Sequence, residues 1–247
     1  MIKLQERDLS ILLYLKKVGW SLPTYISFHF FNSNQRAASN RLLKLEKLNL
    51  ITSSTLKDLS SILIEQDTIK TLFFCLSLKT KIYRLHESVV NVVGEDLEYN
   101  TDKRLLMHQL MASYVLKRLS SQFALSSYTT EEEHKKFHKI NDFYSSFNET
   151  EPDLIVNIKG KTVAIEIERK ARRGLGVFNN AYNNRIDKLI SEFDFVIYVM
   201  ENTKDLTKLI SISEGLKRVG FLSIFDLNSV LRRGYEKTSL SEFLEVN

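Results

Sequence analysis

The sequence predicts an α/β protein, α+β overall, in which a helical N-terminal region precedes a region built on a central mixed sheet. Across residues 6–19, the apolar residues Ile11, Tyr14, Leu15 and Val18 recur at helical spacing. From about residue 123 onwards, short apolar runs alternate with longer segments of helical spacing, which is the element order of an α/β region. The 247 residues include only 8 Gly and 2 Pro, so we expect regular elements to dominate one large or two small domains.

The composition indicates the cellular compartment of the protein more clearly than its function. A formal net charge of +5 is compatible with nucleic-acid binding but does not establish it. Cys75 is the only cysteine, which excludes an intrachain disulfide or thiolate zinc site and favours a reducing compartment. The opening MIKLQERDLS lacks the apolar run of a signal peptide, and no apolar run reaches the ~18–20 residues that span a bilayer. We therefore expect a cytoplasmic protein with no membrane contact.

The N-terminal region shows the element order of a winged helix-turn-helix, namely three helices and then a hairpin. The predicted elements are a helix over 6–19, a short helix from Pro23, a helix over about 34–48, strands over 50–53 and 71–78, and a helix over 79–93. Ser21 and Ser33 are the candidate caps of the second and third helices. We predict a winged-helix DNA-binding domain over 1–94, with the boundary in the acidic stretch 94–101. The helix over 79–93 is also a candidate homodimer surface.

The third predicted helix carries the residues expected to contact double-stranded DNA. Its apolar side chains would face the core, leaving a polar outer face with residues that reach base edges and phosphates. These are Gln35, Arg36, Ser39, Asn40, Arg41 and Lys44. Any amphipathic surface helix has such a face, so it is the element order that favours DNA binding.

The C-terminal region, residues 95–247, predicts alternating strands and helices. They are a helix over 102–122, strands over 123–128, 153–158 and 162–169, a helix over 178–193, a strand over 195–200, a helix over 204–219 and a strand over 221–225. A tight turn at 159–160 would join two of the strands into a hairpin. This hairpin carries the most informative pattern in the chain.

Two carboxylates share one face of the hairpin. In the second strand Val163, Ile165 and Ile167 point one way, while Glu166 and Glu168 point the other. Like charges repel and are costly to bury, so this pattern is unusual for a buried strand. A divalent cation with hard oxygen ligands, Mg²⁺ or Mn²⁺, would resolve the conflict.

Asp153 opens the preceding strand and would lie beside this face if the register brings it there. We expect Asp153 and Glu166 to bind the metal, Glu168 to position a water, and Lys170 to contact a phosphate. Lys170 is equally well explained as a surface residue. The alternative for the whole feature is a solvated hairpin with one charged face.

The motif Pro152-Asp153 … Glu166-x-Glu168 resembles the PD-(D/E)xK nuclease signature. This resemblance implies a nuclease-like domain and a metal held by Asp153, Glu166 and the backbone carbonyl of Ile167. Glu168 stands where the family has lysine, which puts activity in doubt. The alternative register reads Glu168-Arg169-Lys170 as the E-x-K motif.

A basic segment follows the carboxylate strand and predicts phosphate contacts beside the metal, above all from Arg172 and Arg173. Its basic residues are Arg169, Lys170, Arg172, Arg173, Arg185 and Lys188. A solvated charge run is the alternative interpretation.

The stretches FFCLSLKTKIYRL, RLLMHQLMASYVL and PDLIV … VAIEIERK together resemble the replication-relaxation family of plasmid and mobile-element proteins. That resemblance implies DNA binding linked to plasmid replication or transfer. The sequence thus favours a metal-dependent DNA endonuclease or nickase. The alternatives are a DNA-binding regulator with an inactive nuclease fold and a protein-interaction module.

Overall fold

The computed structural model describes residues 4–59, 79–93, 106–125, 127–130, 152–168, 175–200, 210, 216–224, 226–231 and 237–245. The chain forms two compact units, residues 1–117 and 118–247. The division falls later in the chain than the boundary expected at 94–101. No helix in the described part of the chain is long and apolar enough to cross a membrane.

The first unit contains helices that precede a small antiparallel sheet. Its elements are α1 (Glu6–Val18), α2 (Pro23–Phe30), α3 (Gln35–Lys47), β1 (Ile51–Thr55), α4 (Leu56–Leu59), β2 (Lys81–Leu85), a 3-10 turn (Glu87–Val89) and the first part of α5 (Leu106–Gln122). Strands β1 and β2 pair with Ile51 opposite Leu85. Buried side chains from α1 and α3, among them Leu15 and Leu42, form the core together with Trp20.

The helix expected over 79–93 is wrong, whereas the homodimer expected to use this segment stays a prediction. Residues 81–85 form β2, and only a 3-10 turn follows. Ile82 and Leu85 are three residues apart and both buried, so their spacing imitates a helix. Pairing with β1, and a bridge from Tyr83 to Ser21, make this segment a strand instead. The strand expected over 71–78 lies outside the described residues.

Both expected caps are also corrected. Asn34, not Ser33, caps α3, because its side chain accepts a hydrogen bond from the N–H of Ala37 at 3.0 Å. The α2 helix begins after Leu22 without a side-chain cap, while the backbone of Ser21 pairs with Tyr83.

The second unit is built on a seven-stranded mixed sheet, as the sequence analysis predicted for this region in coarse outline. The strands stand in chain order: β3 (Ser127–Thr130), β4 (Leu154–Ile158), β5 (Lys161–Glu168), β6 (Phe195–Met200), β7 (Val219–Ser223), β8 (Asp226–Leu231) and β9 (Lys237–Ser239). The three central strands β5, β6 and β7 are parallel, and the outer strands on both sides pair antiparallel. The helix expected over 204–219 lies largely outside the described residues, and Val219 itself begins β7.

Besides the end of α5, the described residues of this unit include the helices α6 (Leu175–Glu192) and the short α7 (Leu240–Phe243). The α6 helix packs on the sheet through Ile186 and Leu189, against Val196 and Phe221. Consequently β5 is buried on both faces from Val163 to Ile167, as central parallel strands usually are. The carboxylate face of the hairpin is therefore covered by protein rather than by water.

Candidate functional site

The hairpin register brings the two predicted metal ligands together. Leu154 pairs with Ile165, so Asp153 and Glu166 stand opposite each other one step further along the same ladder. The backbone N–H of Ile167 donates to Asp153 Oδ2 at 2.5 Å, which holds the aspartate against β5. Two acidic side chains from neighbouring strands thus meet at the end of β5.

Glu166 is buried and bound by an arginine from α6. Glu166 is only 3% exposed to solvent, which is exceptional for a residue with a carboxylate. Arg185 donates through Nη2 to both carboxylate oxygens, at 2.8 Å to Oε1 and 2.9 Å to Oε2. Burial raises the pKa of Glu166 well above its usual range, the charge of Asp153 raises it further, and Arg185 offsets only part of this effect.

Two more side chains belong to the same electrostatic cluster. The negative charge of Glu168 also raises the pKa of Glu166. Tyr198, the neighbour of Glu166 on β6, is fully buried, and its hydroxyl has no hydrogen-bond partner among the described residues. Burial, followed by the charge of Glu166, raises the pKa of Tyr198 well above its usual value, so the phenol keeps its proton.

The two carboxylates are donors of the type that a hard divalent cation prefers, and Arg185 already binds both oxygens of one of them, Glu166. Asp153 and Glu166 supply carboxylate oxygens from adjacent strands, and Mg²⁺ usually takes one or two protein carboxylates and keeps several waters. No group of three or more His, Cys, Asp or Glu side chains in the described ranges is arranged to hold a metal. A cation here would therefore use those two carboxylates and waters.

The structure describes only some of the remaining predicted site residues. Ile167 lies in β5, and its N–H contacts the Asp153 carboxylate. Glu168 is half-buried at the end of the strand. Lys170, Arg172 and Arg173 lie outside the described residues, so their expected phosphate contacts stay predictions.

The outer face of α3 is largely solvent-exposed, as expected for a DNA-contacting helix. Its exposed polar residues include Gln35, Arg36, Ser39, Asn40 and Lys44. Arg41 departs from the expectation, since its guanidinium binds the buried carboxylate of Asp8 on α1. Nε donates to Asp8 Oδ1 at 2.6 Å, and Nη2 contacts Oδ2. The structure therefore gives Arg41 a partner inside the protein.

Sequence reasoning missed Arg185 and Tyr198 as members of the site. Arg185 was grouped with the basic residues that follow β5, and Tyr198 was simply part of an apolar strand. One signal was available for Arg185, because Tyr182, Ile186 and Leu189 place it beside a buried stripe of α6. No sequence signal marked Tyr198, since its role depends on strand pairing.

Comparisons with protein-family models, with curated proteins and with solved structures found no match to this chain. The site must therefore be interpreted from its own residues and geometry.

Proposed function

We propose that this protein is a metal-dependent DNA endonuclease or nickase that hydrolyses phosphodiesters. One observation carries the proposal, which is the meeting of Asp153 and Glu166 at the end of β5 beneath α6. Structural ion pairs also bury carboxylates, but the charge of a second carboxylate, Asp153, beside the buried Glu166 favours a cation-binding site. The sheet order and the Pro152-Asp153 start support a PD-(D/E)xK nuclease-like domain.

Asp153 and Glu166 would hold Mg²⁺ or Mn²⁺, which when bound polarises the scissile phosphate and makes a bound water more acidic. The Ile167 N–H orients Asp153 by fixing one of its oxygens. Glu168, at the open end of β5, would accept a hydrogen bond from the attacking water and so align it. Side chains of the sheet and α6 exclude bulk water from the inner part of the site.

The first unit would hold the DNA. We interpret α1 to α3 with the β1–β2 sheet as a winged helix, with the exposed face of α3 directed to the major groove. Arg36 and Lys44 offer positive charge there, and Gln35 and Asn40 offer amide groups that suit base edges. The resemblance to replication-relaxation proteins suggests a plasmid or other mobile element as the setting.

The decisive test is nicking of supercoiled plasmid in Mg²⁺ or Mn²⁺ by the full chain. We expect Asp153→Asn and Glu166→Gln to reduce nicking by a factor of 100 or more, on the order of one lost metal-site interaction. Glu245→Gln is the matched control, because Glu245 is exposed and pairs with Lys159 rather than with the site.

Nicking that survives in both site variants, or that ignores EDTA, would contradict the proposal. Thermal unfolding of each variant should be measured alongside, because Glu166 is an ion-pair partner whose loss affects stability. A folded variant without nicking is the expected result.

A second candidate function is a non-catalytic DNA-binding regulator of plasmid replication or transfer. The observation that favours it is the pair of Arg185–Glu166 hydrogen bonds, which neutralises the carboxylate without any metal. Glu168 in place of the family lysine points the same way. On this reading Arg36→Ala and Lys44→Ala weaken duplex binding and reduce its salt dependence, while Asp153→Asn changes neither.

A further inference from the structure

Arg185 already binds both carboxylate oxygens of Glu166, the atoms that a metal bound to this residue would use. Its Nη2 lies 2.8 and 2.9 Å from the two carboxylate oxygens, so one cationic group already serves both potential ligand atoms. A guanidinium and a divalent cation held at the same buried carboxylate oxygens would repel each other. The two cations must therefore compete for Glu166.

A divalent cation would interact with two carboxylates at once, those of Asp153 and Glu166. Asp153 and Glu168 interact electrostatically with Glu166, and Arg185 interacts with Glu166 and Asp153. Arg185 is 25% exposed in its side chain while the Glu166 side chain is 4% exposed. The Arg185 side chain is thus the more accessible partner of the pair.

Tyr198 supplies an independent sign that a ligand belongs here. Its hydroxyl is buried beside Glu166 on the α6 face of the sheet, without a hydrogen-bond partner among the described residues. A buried hydroxyl that makes no hydrogen bond costs free energy, so native proteins rarely keep one without a role. A water bound to a cation would donate a hydrogen bond to the phenol oxygen of Tyr198.

We propose that Arg185 is the resident counter-ion of this site, and that a divalent cation displaces its guanidinium from Glu166. This inference rests on the proposed metal-dependent function. In the metal-free chain Arg185 stabilises the buried carboxylate, and in the metal-bound chain its side chain swings towards solvent. Tyr198 would accept a hydrogen bond from a metal-bound water and so act as a positioning residue.

The test is calorimetric titration of the full chain with Mn²⁺ alone. Arg185→Met removes the competitor, and we expect it to bind Mn²⁺ about tenfold more tightly than the wild type. Arg218→Met is the matched control, because Arg218 donates to the backbone carbonyls of Ile190 and Phe193 rather than to a carboxylate. Its Mn²⁺ affinity should equal that of the wild type.

A second test uses the wild type, so its outcome does not depend on whether the Arg185 variant folds. In ¹⁵N spectra, addition of Mg²⁺ should shift the side-chain N–H resonance of Arg185 and leave that of Arg41 unmoved. Tyr198→Phe should weaken Mn²⁺ binding about tenfold, as losses of groups behind metal ligands typically do, without lowering the metal-free melting temperature.

The outcomes separate this inference from the function on which it rests. Equal Mn²⁺ affinity in the wild type and Arg185→Met, with an unmoved Arg185 resonance, would overturn the exchange and leave the metal site standing. Absence of Mn²⁺ binding in the wild type and in Arg185→Met would overturn both. Loss of binding in Asp153→Asn, with tighter binding in Arg185→Met, is the result we expect.

Discussion

The two units of this protein each contain an arginine that binds a buried carboxylate, and the two pairs behave differently. In the first unit Asp8 is 1% exposed and holds Arg41, and in the second Glu166 is 3% exposed and holds Arg185. Burial raises the pKa of Asp8, but the hydrogen bonds from Arg41 and Gln5, with the charges of Arg41 and Arg7, outweigh it and lower the net pKa. The pKa of Glu166 is instead raised.

The neighbours of each pair explain the difference. Asp8 also accepts the N–H of Gln5 at 2.6 Å, closing a capping box at the start of α1. Both carboxylate oxygens of Asp8 therefore accept hydrogen bonds. Glu166 instead has the like charges of Asp153 and Glu168 nearby, and Arg185 offsets only part of the resulting rise in its pKa. The same residue types thus make a structural tie in one unit and a candidate cation site in the other.

The largest effect should come from breaking the structural tie. Arg41→Met would leave Asp8 buried without its cation, and we expect the free energy of unfolding to fall by about 3–5 kcal/mol. Trp20, the only tryptophan, is buried in this unit, so its fluorescence in a urea titration reports the loss. Arg36→Met, on the exposed face of α3, should change stability by less than about 0.5 kcal/mol. A loss below about 1 kcal/mol in Arg41→Met would contradict the structural role that separates the Arg41–Asp8 pair from the Arg185–Glu166 pair.

The next effect is stabilisation of the second unit by metal. With Mn²⁺ at about 100 times its Kd, the free energy of unfolding should rise by about 2.7 kcal/mol, since the ligand binds the folded state. Circular dichroism during thermal unfolding measures this gain. Asp153→Asn should abolish it, whereas Asp8→Asn, although destabilising, should retain it. Equal gains in wild type and Asp153→Asn would place the metal elsewhere.

Acid should weaken the first unit through His29, which is packed among the rings of Tyr14, Phe28 and Phe30. Burial, helped by the charge of Lys117, lowers the pKa of His29 from 6.5 to about 4. The unfolded chain therefore binds the proton more readily, and stability present above pH 6.5 is lost as the pH falls towards 4.

Replacing His29 tests whether this residue makes the first unit less stable at low pH. Between pH 7.5 and pH 5, the free energy of unfolding should fall by about 1–2 kcal/mol less in His29→Phe than in the wild type. Trp20 fluorescence in urea titrations measures both values. Asp8 contributes in a separate window, since its lowered pKa means that its stabilisation is lost only below about pH 3.8. An unchanged pH profile in His29→Phe would contradict the burial of a neutral imidazole.

The smallest expected effect compares two buried tyrosines. Tyr14 shares a hydrogen bond of 3.2 Å with Ser21, and the Tyr198 hydroxyl has no such partner among the described residues. Tyr14→Phe should cost about 1 kcal/mol, while Tyr198→Phe in the absence of metal should be neutral or slightly stabilising. Chemical denaturation of both variants measures the contrast. A matching loss in Tyr198→Phe would mean that its hydroxyl is already satisfied in the metal-free chain.

Local patterns predicted most of the helices. Helical spacing placed α1 within one residue of its observed end, and the apolar run 195–200 was correctly identified as β6. The prediction failed for β2, where Ile82 and Leu85 fit a helix as well as a strand. Only β1, which pairs along the whole of β2, decides between the two. A short apolar segment does not carry that information by itself.

By itself, the sequence determined the hairpin and its acidic face. A tight turn at Lys159-Gly160 and the period-two alternation of β5 predicted the hairpin. The register that brings Asp153 beside Glu166 came only from the structure. The tertiary structure alone decided which arginine binds each carboxylate. Arg41 is 33 residues from Asp8 and Arg185 is 19 residues from Glu166, so each pair forms only where packing of separate elements brings the charges together. Burial then sets whether such a pair is a structural tie or a site for another cation, because the free energy of a buried charge depends on all its neighbours.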